Sequence, residues 1–515
     1  MARSLAGNSR LVTTSWTAGA ALALMALVPA HVATDQTLGY FDQSVDIGGP
    51  AIAGSTTYDA AAQTYTMVGS GTNMWATKDE FQFAWRKLKG DFIVRTHAKF
   101  VGTGVEPHRK LGWIVRSSLD PDATYADAAI HGNGLASLQY RSVKAGTTFQ
   151  LPSMVMAPDV IQLERKGKMF IMSVARYGEP FTRTELTELD LGDDVYVGLF
   201  VCAHNPKVSE HAVFSNVRVV VPPPVGWRPY RDYIGSNLEL MRIGSPDLKV
   251  LYTAPGSFQA PNWTRDGKSL IYNAGGKLYR FDLATRTPTA IDTATVVANN
   301  NDHVLSFDGA LLGISSSSAE DGNRSVVYSV PTAGGTPTRI TKNSPSYFHS
   351  WSPDGKVMFF TGQRDGELDI YKIPTEGGDE MRLTTAKGLD DGPEATPDGR
   401  WIFFNSARTG RTQIWKMRPD GTEQQQITGD EFNNWFPHIA PDGKSMVVLS
   451  FLSDVDPADH PFYRQVYVRQ MDLEGAGAKV IAYVYGGQGT MNVPSWSPDS
   501  QSISFVSNTA LPAPH

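Results

Sequence analysis

One short phrase returns six times between Pro261 and Asp499, and it restricts the possible folds more than any other feature of the chain. The copies read PNWTRDG, HVLSFDG, HSWSPDG, PEATPDG, PHIAPDG and PSWSPDS. Successive turn aspartates stand 42, 46, 44, 44 and 57 residues apart, at Asp266, Asp308, Asp354, Asp398, Asp442 and Asp499. A period in the forties with strand-like flanks is typical of a β-propeller, in which each repeat forms one blade.

The two ends of the repeat region predict how this propeller closes. A complete repeat holds four strand-like segments, but Asp499 is followed by only one, QSISFVS. Two further strand-like segments stand upstream, LELMRI at 238–243 and KVLYTA at 249–254. We therefore expect a six-bladed ring in which one blade combines strands from both ends of the repeat region, a closure that hides sheet edges.

The N-terminal part of the chain, residues 34–221, has the pattern of an all-β domain. In GDFIVRTHAKFV, alternate residues are expected to share one face of a half-buried strand: Phe92, Val94, Thr96, Ala98 and Phe100. Further segments alternate in the same way and none has a helical period, which predicts a β-sandwich. Three prolines begin a semi-rigid linker at 222–235, the propeller occupies 236–508, and 509–515 form a tail.

The first 33 residues predict export of the protein. Arg3 and Arg10 precede an apolar run of 13 residues, Ala18–Ala30, which is too short to span a bilayer and typical of a signal peptide. The one cysteine, Cys202, lies far from this segment, so we expect no lipoprotein anchor. We predict a periplasmic or secreted protein without a membrane span. The net charge of −6 and the lack of a basic cluster exclude nucleic acid as a partner.

Two family resemblances accompany these patterns. The phrases Trp351-Ser-Pro-Asp-Gly355 and Trp496-Ser-Pro-Asp499 resemble the TolB-like propeller, also called the WD40-like Pro-Asp repeat, and the likeness covers residues 236–508. In the N-terminal domain, the segments DEFQF, GDF, QLERKG and FSNV resemble the concanavalin A-like lectin/glucanase sandwich. The second resemblance implies a domain that binds or cleaves carbohydrate, or a structural one, because fold alone does not decide function.

Departures from the repeat predict where function lies. The loops that enter the first strand of each blade and the loops between its second and third strands are expected at one face of the disc, where insertions often map. We therefore predict catalytic residues at this face, namely His303, His349, Asp391, Glu394, Arg408 and His438. We predict substrate-binding residues there too, namely Asn301, Asp302, Tyr347, Asn434, Trp435, His460, Tyr463, Arg464 and Asn492.

Three histidines in this set have two chemical interpretations and a structural one. His303 and His349 replace a proline that recurs in the other four blades, and His438 is shifted by one position. Together with nearby carboxylates, they are candidate ligands of a divalent metal ion, the one cofactor that the pattern suggests. They are equally candidates for a general acid and base. Each histidine alone is also compatible with simple packing in the core.

Two functional hypotheses follow. The first is an enzyme that cleaves an oligo- or polysaccharide, either as a lyase with Arg408 or Arg464 on a uronate, or as a glycoside hydrolase with Asp391 and Glu394 as paired carboxylates. The second is a non-catalytic binding or scaffold propeller that docks a protein or polymer in the cell envelope, as the TolB-like resemblance implies. The concentration of titratable residues favours the enzyme.

Overall fold

A computed structural model describes residues 38–511, and these residues belong to one compact unit. The predicted signal peptide lies outside the described residues, as does the end of the predicted tail. The described chain is all-β, and its only helix is a 3₁₀-helix at Ala319–Asp321. It contains no helix that is long and apolar enough to cross a membrane.

The N-terminal domain consists of fourteen strands in two antiparallel sheets. The strands are β1 Gln43–Ile47, β2 Ser55–Asp59, β3 Thr64–Gly69, β4 Phe81–Lys89, β5 Phe92–Val101, β6 Lys110–Arg116, β7 Tyr125–His131, β8 Ala136–Arg141, β9 Phe149–Pro152, β10 Val160–Lys166, β11 Met169–Ala175, β12 Thr182–Leu186, β13 Asp194–Cys202 and β14 Glu210–Val220. The first sheet has the order β1-β4-β13-β6-β7-β8-β9, and the second has the order β12-β11-β10-β5-β14-β3-β2.

The two sheets share an apolar core, as the alternating sequence pattern predicts. Trp113 of the first sheet is buried in the same cluster as Phe92 and Phe170 of the second sheet. Strand β5 differs from the expected half-buried strand, because Ile93 and Arg95 on its other face are also buried. The propeller covers this face, and the sequence of one strand alone does not reveal that cover.

The propeller begins at β15 and contains twenty-three strands. They are β15 Gly235–Arg242, β16 Leu248–Ala254, β17 Gln259–Trp263, β18 Ser269–Ala274, β19 Lys277–Asp282, β20 Thr287–Ile291, β21 Asn299–Leu305, β22 Leu311–Ser318, β23 Arg324–Pro331, β24 Thr338–Arg339, β25 Ser346–Trp351, β26 Val357–Arg364, β27 Glu367–Pro374, β28 Met381–Arg382, β29 Asp390–Ala395, β30 Ile402–Ser406, β31 Gln413–Met417, β32 Gln425–Gln426, β33 Asn433–Ile439, β34 Ser445–Phe451, β35 Arg464–Asp472, β36 Lys479–Gly486 and β37 Ser502–Thr509.

These strands form six blades, which confirms the count predicted from the repeat. Blades one to five are four-stranded sheets of consecutive strands, β17–β20, β21–β24, β25–β28, β29–β32 and β33–β36. The turn aspartates are structural: in five of the six copies a Ser or Thr hydroxyl two residues earlier donates to the Asp carboxylate, as Ser352 does to Asp354 at 2.6 Å.

Blade six combines the two ends of the repeat region, as the sequence predicts. Its sheet has the order β16-β15-β37, so the C-terminal strand pairs with the first propeller strand. The predicted innermost strand of this blade is reduced to a single bridge between Trp496 and Ile503. The backbone carbonyls of Thr490 and Ser495 accept separate hydrogen bonds from β37 instead of forming a regular ladder.

The second sheet of the sandwich packs against blades five and six through buried polar contacts. Arg218 of β14 pairs with Glu239 of β15 at 2.6 Å, and both side chains are almost fully buried. The Gln465 amide accepts from Gln162 at 2.9 Å and donates to Glu164 at 2.8 Å. These contacts hold the two domains in a fixed relation, because separating them would leave buried polar groups without partners.

Candidate functional site

The innermost strands of blades two to five carry ten of the fifteen side chains predicted to be functional. The sequence analysis placed these ten residues in loops, but β21, β25, β29 and β33 contain them. Each innermost strand has a register shift, between Gln259 and Asn262, Asn299 and His303, Phe348 and Ser350, Asp391 and Glu394, or Trp435 and His438. A β-bulge re-aims the side chains around it. Residues a few positions apart therefore have different surroundings.

A cavity of about 430 Å³ opens at the mouth of the propeller. We call it the mouth cavity. It brings together seven of the predicted site residues, Asn301, Asp302, Tyr347, His349, Asp391, His460 and Asn492. They come from β21, β25 and β29, from residues 452–463 between β34 and β35, and from the segment before β37. We call residues 452–463 the long loop. Its length explains the wide spacing before the sixth repeat.

His349 and Asp391 form the polar centre of this cavity. The Nε2 atom of His349 lies 3.2 Å from Oδ1 of Asp391, and both side chains are buried. Oδ1 of Asp391 also accepts hydrogen bonds from the Thr361 hydroxyl at 2.6 Å and from the backbone N–H of Gly392 at 2.8 Å. His349 stacks on the ring of Phe436 at a centroid distance of 6.2 Å. The pair, on β25 and β29, is therefore also held by contacts from β26 and β33.

The surroundings of this pair shift the pKa values of two carboxyl groups, those of Asp391 and Asp302, in opposite directions. Burial acts to raise the pKa of Asp391, but the hydrogen bond and charge of His349 outweigh it and hold the pKa well below its ordinary value. Burial acts to lower the pKa of His349, but Asp391 and Asp302 outweigh it and raise the pKa above 6.5. Burial raises the pKa of Asp302 to about 6, against the influence of His349. The pairing of His349 with Asp391 therefore favours a protonated imidazole beside an ionised carboxylate.

An aromatic wall backs the cavity on the side of the long loop. His460 lies 3.9 Å from Asp391 through its Nε2 atom, and burial lowers the pKa of its imidazole. The ring of Trp435 meets His460 edge-on at 4.5 Å and is fully buried. Trp435 therefore supports His460 from behind. It does not offer a ring face to a ligand.

The cavity contains carboxylates but no strong cation. Among the described residues that line it, three are Asp and none is Lys or Arg. Arg408 is held elsewhere by Asp390 at 2.7 Å and Gln424 at 2.6 Å, and its guanidinium lies over the Trp415 ring. Arg464 is exposed and lines a separate cleft between the two domains. Neither arginine is placed to neutralise a ligand in the mouth cavity.

Glu394 and His438 connect neighbouring blades away from the cavity. Oε2 of Glu394 lies 2.7 Å from Nδ1 of His438, and its Oε1 accepts the backbone N–H of Ile439 at 2.7 Å. Nε2 of His438 bonds the carbonyl oxygen of Met491 at 2.8 Å. Asn262 makes the equivalent contact between blades one and two, to the N–H of Leu305. Glu394 thus makes this recurring inter-blade hydrogen bond and adds to it a buried pair with His438.

The remaining predicted residues have structural environments. His303 is fully buried, bonds the Ile271 carbonyl at 3.2 Å, and has its pKa lowered by burial to about 4. Asn434 is buried and accepts the Ser450 hydroxyl at 2.6 Å. The Tyr463 hydroxyl accepts the backbone N–H of Ile234 at 3.1 Å. The structure therefore does not bring His303, His349 and His438 together. Within residues 38–511, no group of three or more His, Cys, Asp or Glu side chains is arranged to hold a metal ion.

One wall of the cavity comes from the segment between the domains. Residues 222–234, which we call the strap, run from the sandwich to β15, and Tyr230 of the strap lines the mouth cavity. Trp227 packs edge-on against Tyr463 of the long loop at 5.0 Å. The sequence analysis treated this segment as a spacer only. Its three aromatic residues, Trp227, Tyr230 and Tyr233, were a signal that it packs against the propeller.

The fold and the site define a class of protein: a six-bladed propeller with a polar, preformed cavity at its mouth. Residues 349–509 match the TolB beta propeller domain. An uncharacterized protein of Agrobacterium fabrum is 45% identical over 272 residues, which are 53% of this chain and 92% of that protein. The chain belongs to the TolB-like propeller family.

One solved structure agrees with this membership, and a second is more distant. A TolB candidate from Agrobacterium tumefaciens is 43% identical and has a TM-score of 0.52, with 54% of this chain and 100% of that chain covered. TolB from Acinetobacter baumannii is 19% identical with a TM-score of 0.39, and the match covers 50% of this chain and 64% of that one.

Proposed function

We propose that the protein is an exported binding propeller of the cell envelope, which receives a segment of a protein or polymer in its mouth cavity without cleaving it. The main support for this proposal is the mouth cavity. It is preformed, it lies where loops and strands of several blades converge, and its central Asp391 is already fixed by Thr361, Gly392 and His349. Preorganised groups of this kind bind with less ordering cost. Membership of the TolB-like family supports the same function.

The charges of the cavity favour a neutral or positively charged ligand segment. The lining carries Asp302, Asp391 and Asp459, and His349 pairs directly with only one of them, Asp391. An anionic group would meet like charge in a site of reduced dielectric, where such repulsion is strong. This argues against the uronate ligand that a lyase would need, because Arg408 and Arg464 lie elsewhere.

A second candidate function is cleavage of a bound oligo- or polysaccharide. One observation favours it: a carboxyl group with a pKa of about 6, Asp302, lies in the same cavity as the His349–Asp391 pair. Titratable groups tuned toward neutral pH are suited to general acid–base chemistry. The resemblance of residues 34–221 to concanavalin A-like sandwiches would supply a second carbohydrate-directed domain.

Site-specific photocrosslinking tests the binding function. A photoreactive phenylalanine analogue replaces Tyr347 in the mouth cavity or, as the matched control, the exposed Phe149 of the sandwich. Irradiation of intact cells of the native host is expected to trap a discrete species from position 347 only. The same variant carrying Asp391→Asn should trap less of it. Identical products from both positions, or none from position 347, would overturn the proposal.

Turnover assays separate binding from cleavage. The purified chain is incubated with neutral and uronate-containing oligosaccharides, and new reducing or unsaturated ends are measured. We expect no products. Product formation that disappears in His349→Gln would establish the enzyme instead, with the His349–Asp391 pair at its centre.

A further inference from the structure

A second cavity of about 650 Å³ adjoins the mouth cavity. We call it the side cavity. The two share Tyr230, Asn300, Asn301 and Gln488, so they form one continuous groove. The side cavity lies between the strap and blades one and two. Both volumes fall in the range of about 300–1,000 Å³ that is usual for ligand cavities.

Exposed aromatic rings border the side cavity. Tyr230 and Tyr233 of the strap line this cavity and are 57% and 43% exposed. Phe462 of the long loop meets both rings edge-on, at 5.3 Å and 5.6 Å. The rings are therefore held in place by packing while part of their surface stays open to a ligand.

Two residues that line this cavity have a buried amide oxygen without a hydrogen-bond donor. Asn273 and Asn299 are each only 5% exposed, and within the described residues neither Oδ1 atom has a donor. The Nδ2 group of Asn299 donates to the carbonyls of Gly276 at 2.9 Å and Val296 at 3.1 Å, which fixes the orientation of this amide. A buried acceptor without a donor is costly, so such an atom calls for a partner from outside the protein.

The side cavity also lacks charge. Its described lining consists of aromatic, amide, Ser, Ala and Gly residues, with no Asp, Glu, Lys, Arg or His among them. A ligand with a full charge would lose its hydration there without a counter-charge. A neutral ligand with several hydroxyl groups and one apolar face is complementary to this lining. Its hydroxyl groups can donate to the unpaired amide oxygens, and its apolar face can stack on the tyrosine rings.

We propose that the side cavity is a subsite for neutral saccharide units, which stack on Tyr230 and Tyr233 and donate hydroxyl hydrogen bonds to Asn273 and Asn299. This inference rests on the proposed binding function and specifies its polymer as a neutral glycan. A peptide is a poorer match, because its regularly spaced N–H groups run along one line, whereas the amide side chains converge from β17, β18, β21 and the segment after β36.

Calorimetric titration of the full chain tests the subsite. The probes are cello-oligosaccharides, malto-oligosaccharides and chito-oligosaccharides as neutral glycans, oligogalacturonate as the anionic counterpart, and a short Ser/Gly/Ala peptide. We expect at least one neutral glycan to bind, with oligogalacturonate at least about tenfold weaker. Tyr230→Ala and Asn273→Ala should each weaken that glycan about tenfold, whereas Phe149→Ala, which removes a similarly exposed ring from the sandwich, should not.

The possible outcomes distinguish the saccharide subsite from the proposed binding function on which it rests. Binding of the peptide alone, equal affinity for oligogalacturonate, no binding of any neutral glycan, or an unchanged affinity in Tyr230→Ala would each overturn the saccharide subsite. The circular dichroism spectrum of each variant shows whether it is folded. If the crosslink from position 347 persists while the glycans fail, the binding function stands without this ligand class. If both fail, the binding function fails as well.

Discussion

His349 of blade three and Asp391 of blade four face each other at 3.2 Å, across the boundary between two sheets that are joined only by a loop. The pair is buried, and it favours a protonated imidazole beside an ionised carboxylate. Because each partner lies on an inner strand with a register shift, both side chains line the mouth cavity.

Replacement of Asp391 by Asn should lower the pKa of His349. In the native protein Asp391 outweighs the effect of burial and raises that pKa above 6.5. Without the carboxylate, burial is the larger influence, so the imidazole should lose its proton at a lower pH than an ordinary histidine. Imidazole resonances followed by NMR from pH 4 to 9 measure both values. Asp442→Asn, at an exposed turn, serves as the control, and a His349 pKa that does not move would contradict the assignment.

Replacement of Asp302 by Asn should stabilise the fold above pH 6. An acid whose folded pKa is raised binds protons more readily when folded, so its contribution to stability falls as pH rises from 3.8 through about 6. Asn has no carboxyl group to ionise, so the variant does not lose stability in this way as pH rises. Its free energy of unfolding should exceed that of the native protein by about 1–3 kcal/mol at pH 8 and by little at pH 4. Urea denaturation at both pH values measures the change. The exposed Asp365→Asn should show no such pH dependence.

Replacement of Glu239 by Gln should weaken the junction between the sandwich and blade six. Arg218 would stay buried without its counter-charge, and we expect a loss of about 3–5 kcal/mol in the free energy of unfolding. Burial acts to raise the pKa of Glu239, but Arg218 outweighs it and lowers the pKa. The contribution of this carboxylate is therefore present above its ordinary pKa of 4.5 and is lost as pH falls through the lowered folded value.

The exposed pair between Lys144 and Asp120 provides the control for that measurement. Asp120→Asn removes an ion pair of 2.6 Å whose partners are both more than half exposed, so the free energy of unfolding should stay nearly unchanged. Equal losses in the two variants, measured by denaturant unfolding at pH 7, would show that the buried pair has no special role.

Replacement of Ala440 by Ser should complete the one turn that lacks its hydroxyl. In the other five repeats a Ser or Thr at this position donates to the turn Asp, as Ser352 does to Asp354. The fifth repeat has Ala440 before Asp442. A restored hydrogen bond should add about 0.5–1.5 kcal/mol to the free energy of unfolding. The reverse change, Ser352→Ala, should lower it, and a loss of stability in Ala440→Ser would show that the buried site cannot hold the hydroxyl.

Much of the propeller could be predicted from the sequence, because the repeat determines both the length of each blade and the way in which the ring closes. The Asp-Gly turns and the two segments upstream of Pro261 predicted six blades and a shared sixth blade, and the structure has both. The irregular inner edge of blade six was not predicted. Single bridges such as that of Trp496 with Ile503 depend on contacts across the ring, which the local pattern does not contain.

The candidate site was predicted as a face but not as a cavity. Seven of the fifteen predicted residues line the mouth cavity, including His349 and Asp391. His303 occupies the same repeat position as His349 yet turns to the Ile271 carbonyl. One register shift per inner strand decides which side chain faces the axis, and no residue pattern in a single repeat specifies it. Tyr230 was missed because the strap has no repeat from which its position could be inferred.

The closure of blade six sets an order of events for a chain that emerges from its N-terminus. One edge of strand β15 has no partner strand until β37, about 270 residues later in the sequence, has been synthesised. The two strands then pair with Gly235 opposite Thr509. The Thr509 hydroxyl then accepts the N–H of Val221, so one residue also joins the ring to the end of the sandwich. The propeller therefore closes only when its last strand has formed, so the stability of the first propeller strand depends on a segment that is far away in the sequence.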